Sequence, residues 1–585
     1  MGVTEAIADR IEGHVRGLLV RGMVRELPYR ASMALARQFV AGIIAFLLLA
    51  LMGVAAWVLG LVPNLICIIL LCFSPAPLIP FIASYQKLRG EVSKRKEEME
   101  HELPFFTALS SIVTHCGGTP YMAFQHVRRE GKDVFPRTAA EAEEIERKSI
   151  FAGMGVLRAM ETHAESHPND GFSSFVATST SVWRSGGDVP STIDDLNAEA
   201  MKRLENRFDS YASTISTLAE VIVILLMITP LGVSLSALAS PDLVMPLTLV
   251  FGGALIPMTA VLLYIAASKA SPKKYDRFER GPEIASSALA ISMLVGVALC
   301  LPGTLLPLPK PLPLPVSMSM ASTIGLGYAY LMMRRQISEV EQTERELKRF
   351  LRIAVEFRKL GLPMTEALKR AARQPYKPLF KKLVTQLSAR LCMGFTIYRA
   401  VADARSWLMR VVFFLLDAAD RFGGAPPQLL ERVISLLGHY QICRDRARDS
   451  IKIYTYLAYA MPLIGAVMVG LIAPCVVPVQ LTTPGQPTFG TLPQEGLQGG
   501  VPLSKASPEF TAQLVEAALT MVILGSILGA ICISRASSLH PWDFKMPLIV
   551  SIVSIAAYYL ALKSSDITWL LFSWSGAGGI GGMGP

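Results

Sequence analysis

Gly118-Thr-Pro120, Met154-Gly155 and Arg184-Ser-Gly-Gly-Asp-Val-Pro190 recur, in the same order, as Gly361-Leu-Pro363, Met393-Gly394 and Arg421-Phe-Gly-Gly-Ala-Pro-Pro427. The offsets are 243, 239 and 237 residues, so the two series are collinear with small insertions. Any one match is within the reach of chance; three in order point to an internal duplication. Both copies lie in polar stretches bounded by long apolar runs. The repeated unit is therefore a soluble domain hung twice from a membrane.

The 585-residue chain is 52% hydrophobic, with a mean hydropathy of +0.42, too apolar for a soluble protein. The apolar residues gather into blocks at 39–60, 64–82, 219–239, 245–267, 284–302, 316–333, 451–478, 511–533 and 546–562. Most approach or exceed the ~20 residues that cross a hydrocarbon core, and they predict nine spans. Residues 1–37 carry six Arg and four acidic residues without a cleavable signal pattern, so the first span is read as retained.

Lys and Arg near span ends set orientation. With the N-terminus in the cytoplasm, the basic arm, Lys87 to Lys96, Lys202/Arg203/Arg207, the 269–283 loop, Arg334/Arg335 and Arg444/Arg446/Arg448 all fall inside. The outer loops are nearly free of cations: 302–315 has only Lys310 and 480–510 only Lys505. The fold class expected is all-α, a polytopic membrane protein with the C-terminus outside. Its parts are a basic arm (1–37), spans 1–2 (38–83), a first helical domain (84–218), spans 3–6 (219–333), a second helical domain (334–450), spans 7–9 (451–563) and a Gly-rich tail (564–585).

The net charge of +10 requires no nucleic acid. Segment 84–218 has 16 basic and 20 acidic residues, and 334–450 has 23 and 12. The basic second segment reads either as positive-inside bias with attraction to anionic membrane lipid or as a docking face for an acidic protein. Eight cysteines without a CxxC pair, in or near spans and in cytoplasmic segments, argue against a disulfide framework.

Each soluble segment reads as about six short helices with short joints, which suits an antiparallel bundle. The first is predicted at 84–102, 107–116, 121–130, 139–163, 172–184 and 190–218, the last entering the third span. The second is predicted at 338–360, 364–372, 376–391, 395–404, 406–422 and 427–450. Pro302 to Pro315 reads as a polyproline-like strap, 481–509 as a flexible loop, and the tail from Ser575 as irregular.

The RxGGxxP element has two readings. Gly186 and Gly187, with Gly423 and Gly424, permit tight turns; Pro190 and Pro427 open helices; Arg184 and Arg421 cap carbonyls or pair with carboxylates. Alternatively the bend is a partner contact. No GxxxxGK[ST] occurs, so nucleotide hydrolysis by a P-loop is excluded. His163 and His167 do not form HExxH and read as an exposed helix end. No catalytic, metal or cofactor site stands out. Glu220 and Glu516 sit near span ends, as interfacial carboxylates or as contacts to another span or an inserted substrate helix. Gly525 and Gly529 permit close helix approach within the fold or between protomers, and Pro230 is expected to bend the third span.

The stretch Glu102-Leu-Pro-Phe-Phe-Thr-Ala-Leu to Gly118-Thr-Pro120, with the later Met-Gly and Gly-Gly turns, resembles the type II secretion F domain. Two such domains with nine spans look like its archaeal branch, the platforms of the archaellum and archaeal type IV pili. The resemblance implies a non-enzymatic membrane hub, a homodimer, without cofactor. Its partners would be a hexameric secretion ATPase and prepilin- or archaellin-like subunits. The family has no catalytic residues to carry over. The basic second domain, through Lys381, Lys382, Arg444, Arg446 and Arg448, is the expected ATPase contact. A transporter with parallel repeats and a membrane scaffold or receptor are the competing readings.

Overall fold

A computed structural model describes residues 2–23, 27–58, 77, 79–239, 249–271, 275–300, 312–423, 426–481, 508–538 and 542–577. Among these every regular element is helical. Helices α1 (Gly2–Gly22) and α2 (Pro28–Val58) precede the first soluble segment. That segment comprises α3 (Ile79–His115), α4 (Pro120–Glu130), α5 (Pro136–Phe151), α6 (Val156–Glu165), α7 (Asp170–Ser185) and α8 (Val189–Ala239). A π-helical turn (Leu249–Leu255) leads into α9 (Ile256–Ala270), followed by α10 (Gly281–Cys300). The second segment runs α11 (Leu314–Lys359), α12 (Met364–Ala372), α13 (Pro378–Cys392), a 3-10 turn (Arg399–Val401), α14 (Trp407–Gly423) and α15 (Pro427–Leu481). Helices α16 (Pro508–Ser538) and α17 (Lys545–Ala577) complete the bundle.

Both soluble segments follow one plan: a long entering helix, a short helix opened at a proline, a middle helix, a brief helical piece, a core helix and a long exiting helix. Several expected boundaries move. Helix α3 is continuous through Pro104 rather than broken after residue 102. The expected helix 139–163 splits into α5 and α6, because Gly153 adopts the left-handed conformation (φ 61°) and closes α5. Residues 395–404 contract to the 3-10 turn. Helices α8 and α15 continue unbroken from the soluble bundles into their apolar segments, α8 through Pro230. The expected tail at 564–585 is helical as far as Ala577.

Among the described residues seven helices are long and apolar enough to cross a membrane. The expected span at 64–82 lies mostly outside the described residues, which take in only 77 and 79–82 of it. The 316–333 segment is not among the seven, since Ser, Thr and Gly lower its hydropathy. It nevertheless packs antiparallel along α10 through small residues: Cys300 Sγ meets Ser317 Oγ at 3.1 Å, Ala321 faces Gly296 and Gly325 lies against Ser292. Close backbone approach of this kind holds helices together where burial from water cannot. Ser551 of α17 ties into the same stack, donating to Ser319 O at 2.9 Å and meeting Ser322 and Thr323.

The basic arm is a docked helix. Val15 and Leu19 of α1 pack with Ala31 and Leu35 of α2 against Phe81, Tyr85 and Leu88 of α3. Arg95 of α3 donates to the Val20 and Arg21 carbonyls at 3.2 and 2.8 Å, satisfying the open C-terminal end of α1.

Candidate functional site

The repeated turns are helix ends of one kind. At the end of α3, Gly117 (φ 83°) is left-handed, its N–H reaches Thr114 O at 3.0 Å and that of Gly118 reaches Val113 O at 2.9 Å. At the end of α11, Gly361 (φ 86°) does the same, with Gly361 N–H on Arg358 O at 2.9 Å and Leu362 N–H on Phe357 O at 3.4 Å. This pair of bonds is the Schellman closure. It corrects the motif pairing by one residue: Gly117, not Gly118, is the counterpart of Gly361. Pro120 is the first residue of α4, whereas Pro363 is the cap residue before α12. In the corrected register Ala123, Phe124 and Val127 fall opposite Ala367, Leu368 and Ala371, all buried. The Met-Gly match shifts likewise, since Gly153 rather than Gly155 corresponds to the left-handed Gly394 (φ 84°).

In the first RxGGxxP turn Gly186 is left-handed (φ 70°), and Arg184 pairs with Glu161 of its own bundle at 2.5 Å. In the second, Arg421 reaches across to Glu130 of the first bundle at 2.7 Å and holds Asp417 at 2.8 Å. Gly423 lies where a β-carbon would collide with Cys116 at the end of α3. Gly424 is outside the described residues. Pro190 and Pro427 stand in the first turns of α8 and α15.

These contacts belong to one interface that joins the two bundles. Helix α14 is buried on every side from Trp407 to Ala419, as a helix apolar on nearly every face must be, and its two charged residues there, Arg410 and Asp417, are paired. Its Trp407 ring stacks on His101 and meets Phe105 edge-on, with centroids 4.6 and 5.1 Å apart. Trp407 Nε1 donates to Val134 O at 2.8 Å. Arg410, fully buried, donates to Asp133 O and Tyr275 O at 2.9 and 2.5 Å. His126 is sandwiched by Phe414 and Phe422, 4.7 and 5.6 Å away. Burial pushes its pKa down to about 4. The 275–280 segment wedges between the bundles: Asp276 caps Trp407 N–H at 2.8 Å, Arg277 pairs with Asp133 at 3.3 Å, and Glu279 pairs with Arg405 at 2.8 Å.

Part of the positive excess of the second segment is spent on this interface. Arg432 binds Asp194 at 2.7 Å and Arg446 binds Glu205 at 2.8 Å. Arg444 is buried against Glu344 of α11, so it offers no docking surface, contrary to the expectation. Lys381 donates to the Ala372 and Gln374 carbonyls at 2.8 and 2.9 Å, closing α12, whereas Lys382 is exposed. Arg448 lines a cavity beside the middle of α15. The five residues thus stand on two helices in different surroundings rather than on one face.

In the membrane bundle, Glu516 accepts from Leu314 N–H at 2.9 Å and caps the start of α11, where a carboxylate offsets the helix dipole. Glu220 accepts from Tyr454 Oη at 2.7 Å, tying α8 to α15. Gly525 and Gly529 border a small gap between α16 and the helices α8 and α9, an intramolecular contact.

Two buried carboxylates escaped the sequence reading. Glu102 caps α5 from outside, accepting Arg137 N–H, Thr138 N–H and Thr138 Oγ1 at 2.9, 2.7 and 2.7 Å. Burial raises its pKa to about 7. Glu141 sits among Arg95, Arg137, His163 and His167. Burial works against its charge, but these partners hold its carboxyl well below the usual range. His163 and His167 are therefore interior residues, not an exposed helix end. His163 lies in the last turn of α6 and His167 just beyond it, and their partners come from α3 and α5, which no local spacing reveals.

The family model for Type II secretion system (T2SS), protein F, matches residues 105–237. Residues 105–237 are thus similar to the F domain of type II secretion systems. The match begins at Phe105 in α3 and runs to Ala237 on α8, so it spans the first bundle and the long helix into the membrane; the second bundle lies outside it. No curated protein and no solved structure matches the chain. The seven apolar helices and this match indicate an integral membrane protein.

Proposed function

We propose that this chain is the non-enzymatic platform of a type IV filament machine of the archaellum or archaeal pilus kind, with both bundles serving as F domains. The observation that carries the reading is the pair of unbroken helices α8 (51 residues) and α15 (55 residues). At 1.5 Å per residue each is ~75–85 Å long, and each joins the fused soluble core to the membrane without a hinge loop. A push on that core by a hexameric secretion ATPase would move the membrane helices directly, and prepilin- or archaellin-like subunits would be lifted beside them. The Lys/Arg asymmetry of the loops supports bundles on the cytoplasmic side of the cell membrane with the C-terminus outside. A homodimer is the expected assembly.

The docking surface favoured is the α13 side of the second bundle, where Lys382 is exposed and Met393 and Phe395 present exposed apolar side chains. Crosslinking in native membranes followed by purification through a tag on the full chain should recover a secretion ATPase and prepilin-like proteins. Lys382→Glu with Met393→Asp should reduce ATPase recovery. Absence of both partners under filament-forming conditions would refute the platform reading, and gradient-driven solute uptake in vesicles would establish a transporter instead.

A further inference from the structure

A cavity of about 410 Å3 opens where α11 and α15 pass from soluble bundle to membrane bundle and where α16 ends and α17 begins. Ser537 and Lys545, which border it, are the terminal residues of two candidate membrane spans, so the cavity lies at the level of the membrane surface on the side bearing the bundles. Four cations line it, Arg334, Arg448, Lys452 and Lys545, against two carboxylates, Glu341 and Asp543, and Lys452 also pairs with Asp449 at 2.6 Å. One of those carboxylates is engaged: Asp543 accepts from Lys545 N–H at 3.1 Å at the start of α17. Asp543 thereby offsets the positive end of that helix's dipole, which leaves the side-chain cations to set the charge of the space. Tyr330, Thr455 and Tyr459 add hydroxyl groups.

We infer that this cavity binds the phosphate-bearing headgroup of an anionic phospholipid. Converging cations and hydroxyl groups suit a phosphodiester. A lipid is favoured over free phosphate by what stands beside the cavity. Leu331 and Met332 on α11 and Ile453 and Tyr456 on α15 are outward-facing and at least half exposed, and acyl chains would lie along them. The bound headgroup would bridge the second bundle to α16 and α17, fixing the angle at which α15 enters the membrane. The site requires a membrane-embedded bundle but not the platform reading, so the two can fail separately.

The test uses the full chain in neutral detergent, with phosphatidylglycerol, phosphatidylcholine or inorganic phosphate as probes, read by native mass spectrometry and thermal melting. Phosphatidylglycerol should remain bound and raise the melting temperature while phosphatidylcholine does not. Arg334→Gln with Lys545→Gln, both exposed side chains, should weaken retention roughly tenfold or more. Lys452→Gln, also exposed, is the second variant if that pair is poorly recovered. Equal retention of both lipids, or retention unchanged in the variants, overturns the inference. Inorganic phosphate binding as tightly as phosphatidylglycerol would also overturn it, by assigning the cavity to a free anion.

Discussion

Glu102 shows how much one side chain can organise here. Phe135, the residue before α5, has no capping group, and a carboxyl from α3 supplies what it lacks. Glu102→Ala should lower stability by roughly 1.5–3 kcal/mol, the range for hydrogen bonds to an ionisable group, while Glu102→Gln retains most of it; thermal melts of the detergent-solubilised protein would show the ranking. His126 carries a pH dependence. Its pKa lies at about 4 in the fold and at 6.5 ordinarily, so below pH 6.5 the unfolded chain takes up the proton first. Its contribution is complete above 6.5 and is lost as pH falls toward 4. Burial lowers His163 and His167 in the same direction, whereas Glu102, raised to about 7, has the opposite sign and loses its contribution as pH rises toward 7. Melting temperature should fall between pH 6.5 and 4.5, and His126→Leu should flatten that slope.

At the scale of elements, the corrected turn register makes a sharp prediction. Gly117 and Gly361 are left-handed with open space where a β-carbon would sit, so Gly117→Ala and Gly361→Ala should each cost about 1 kcal/mol from the backbone alone. Gly118→Ala should cost more, because its β-carbon would meet Val113 Cγ1 at 2.6 Å and Val113 O at 2.9 Å. Equal costs for all three would return the motif to its original pairing. In the membrane bundle, a β-carbon at Gly325 would strike Ser292 and the Ala288 carbonyl. Backbone cannot rotate aside, so Gly325→Leu should wedge α10 from α11 and sharply reduce the yield of monodisperse protein on size-exclusion chromatography.

At the scale of the molecule, the two bundles form one core. Trp407→Ala removes a ring touching both and should cost roughly 3–5 kcal/mol. Limited proteolysis should then cut in both bundles together, at the exposed turns near Phe151 and Met393. Cleavage confined to the second bundle would mean that the bundles unfold independently.

Composition and periodicity suffice for the helical class, most of the apolar segments and some of the helix ends, because those depend on local patterns: blocks of apolar residues, glycines free to adopt positive φ, prolines that open helices. Even the helix at 364–372 was legible to the residue. The register of the repeat was not, since Gly117-Gly118 offers two glycines and only the hydrogen bonds choose between them. Whether Arg444 faces solvent or Glu344 was equally illegible, as was the buried ring around Glu141. Each partnership joins residues far apart in the chain, and charge alone does not say which carboxylate an arginine will meet. Apolar blocks and turn residues are enough to specify helical bundles hung from a membrane; that α14 is shared between the bundles follows from which apolar surfaces meet, and no local pattern encodes that.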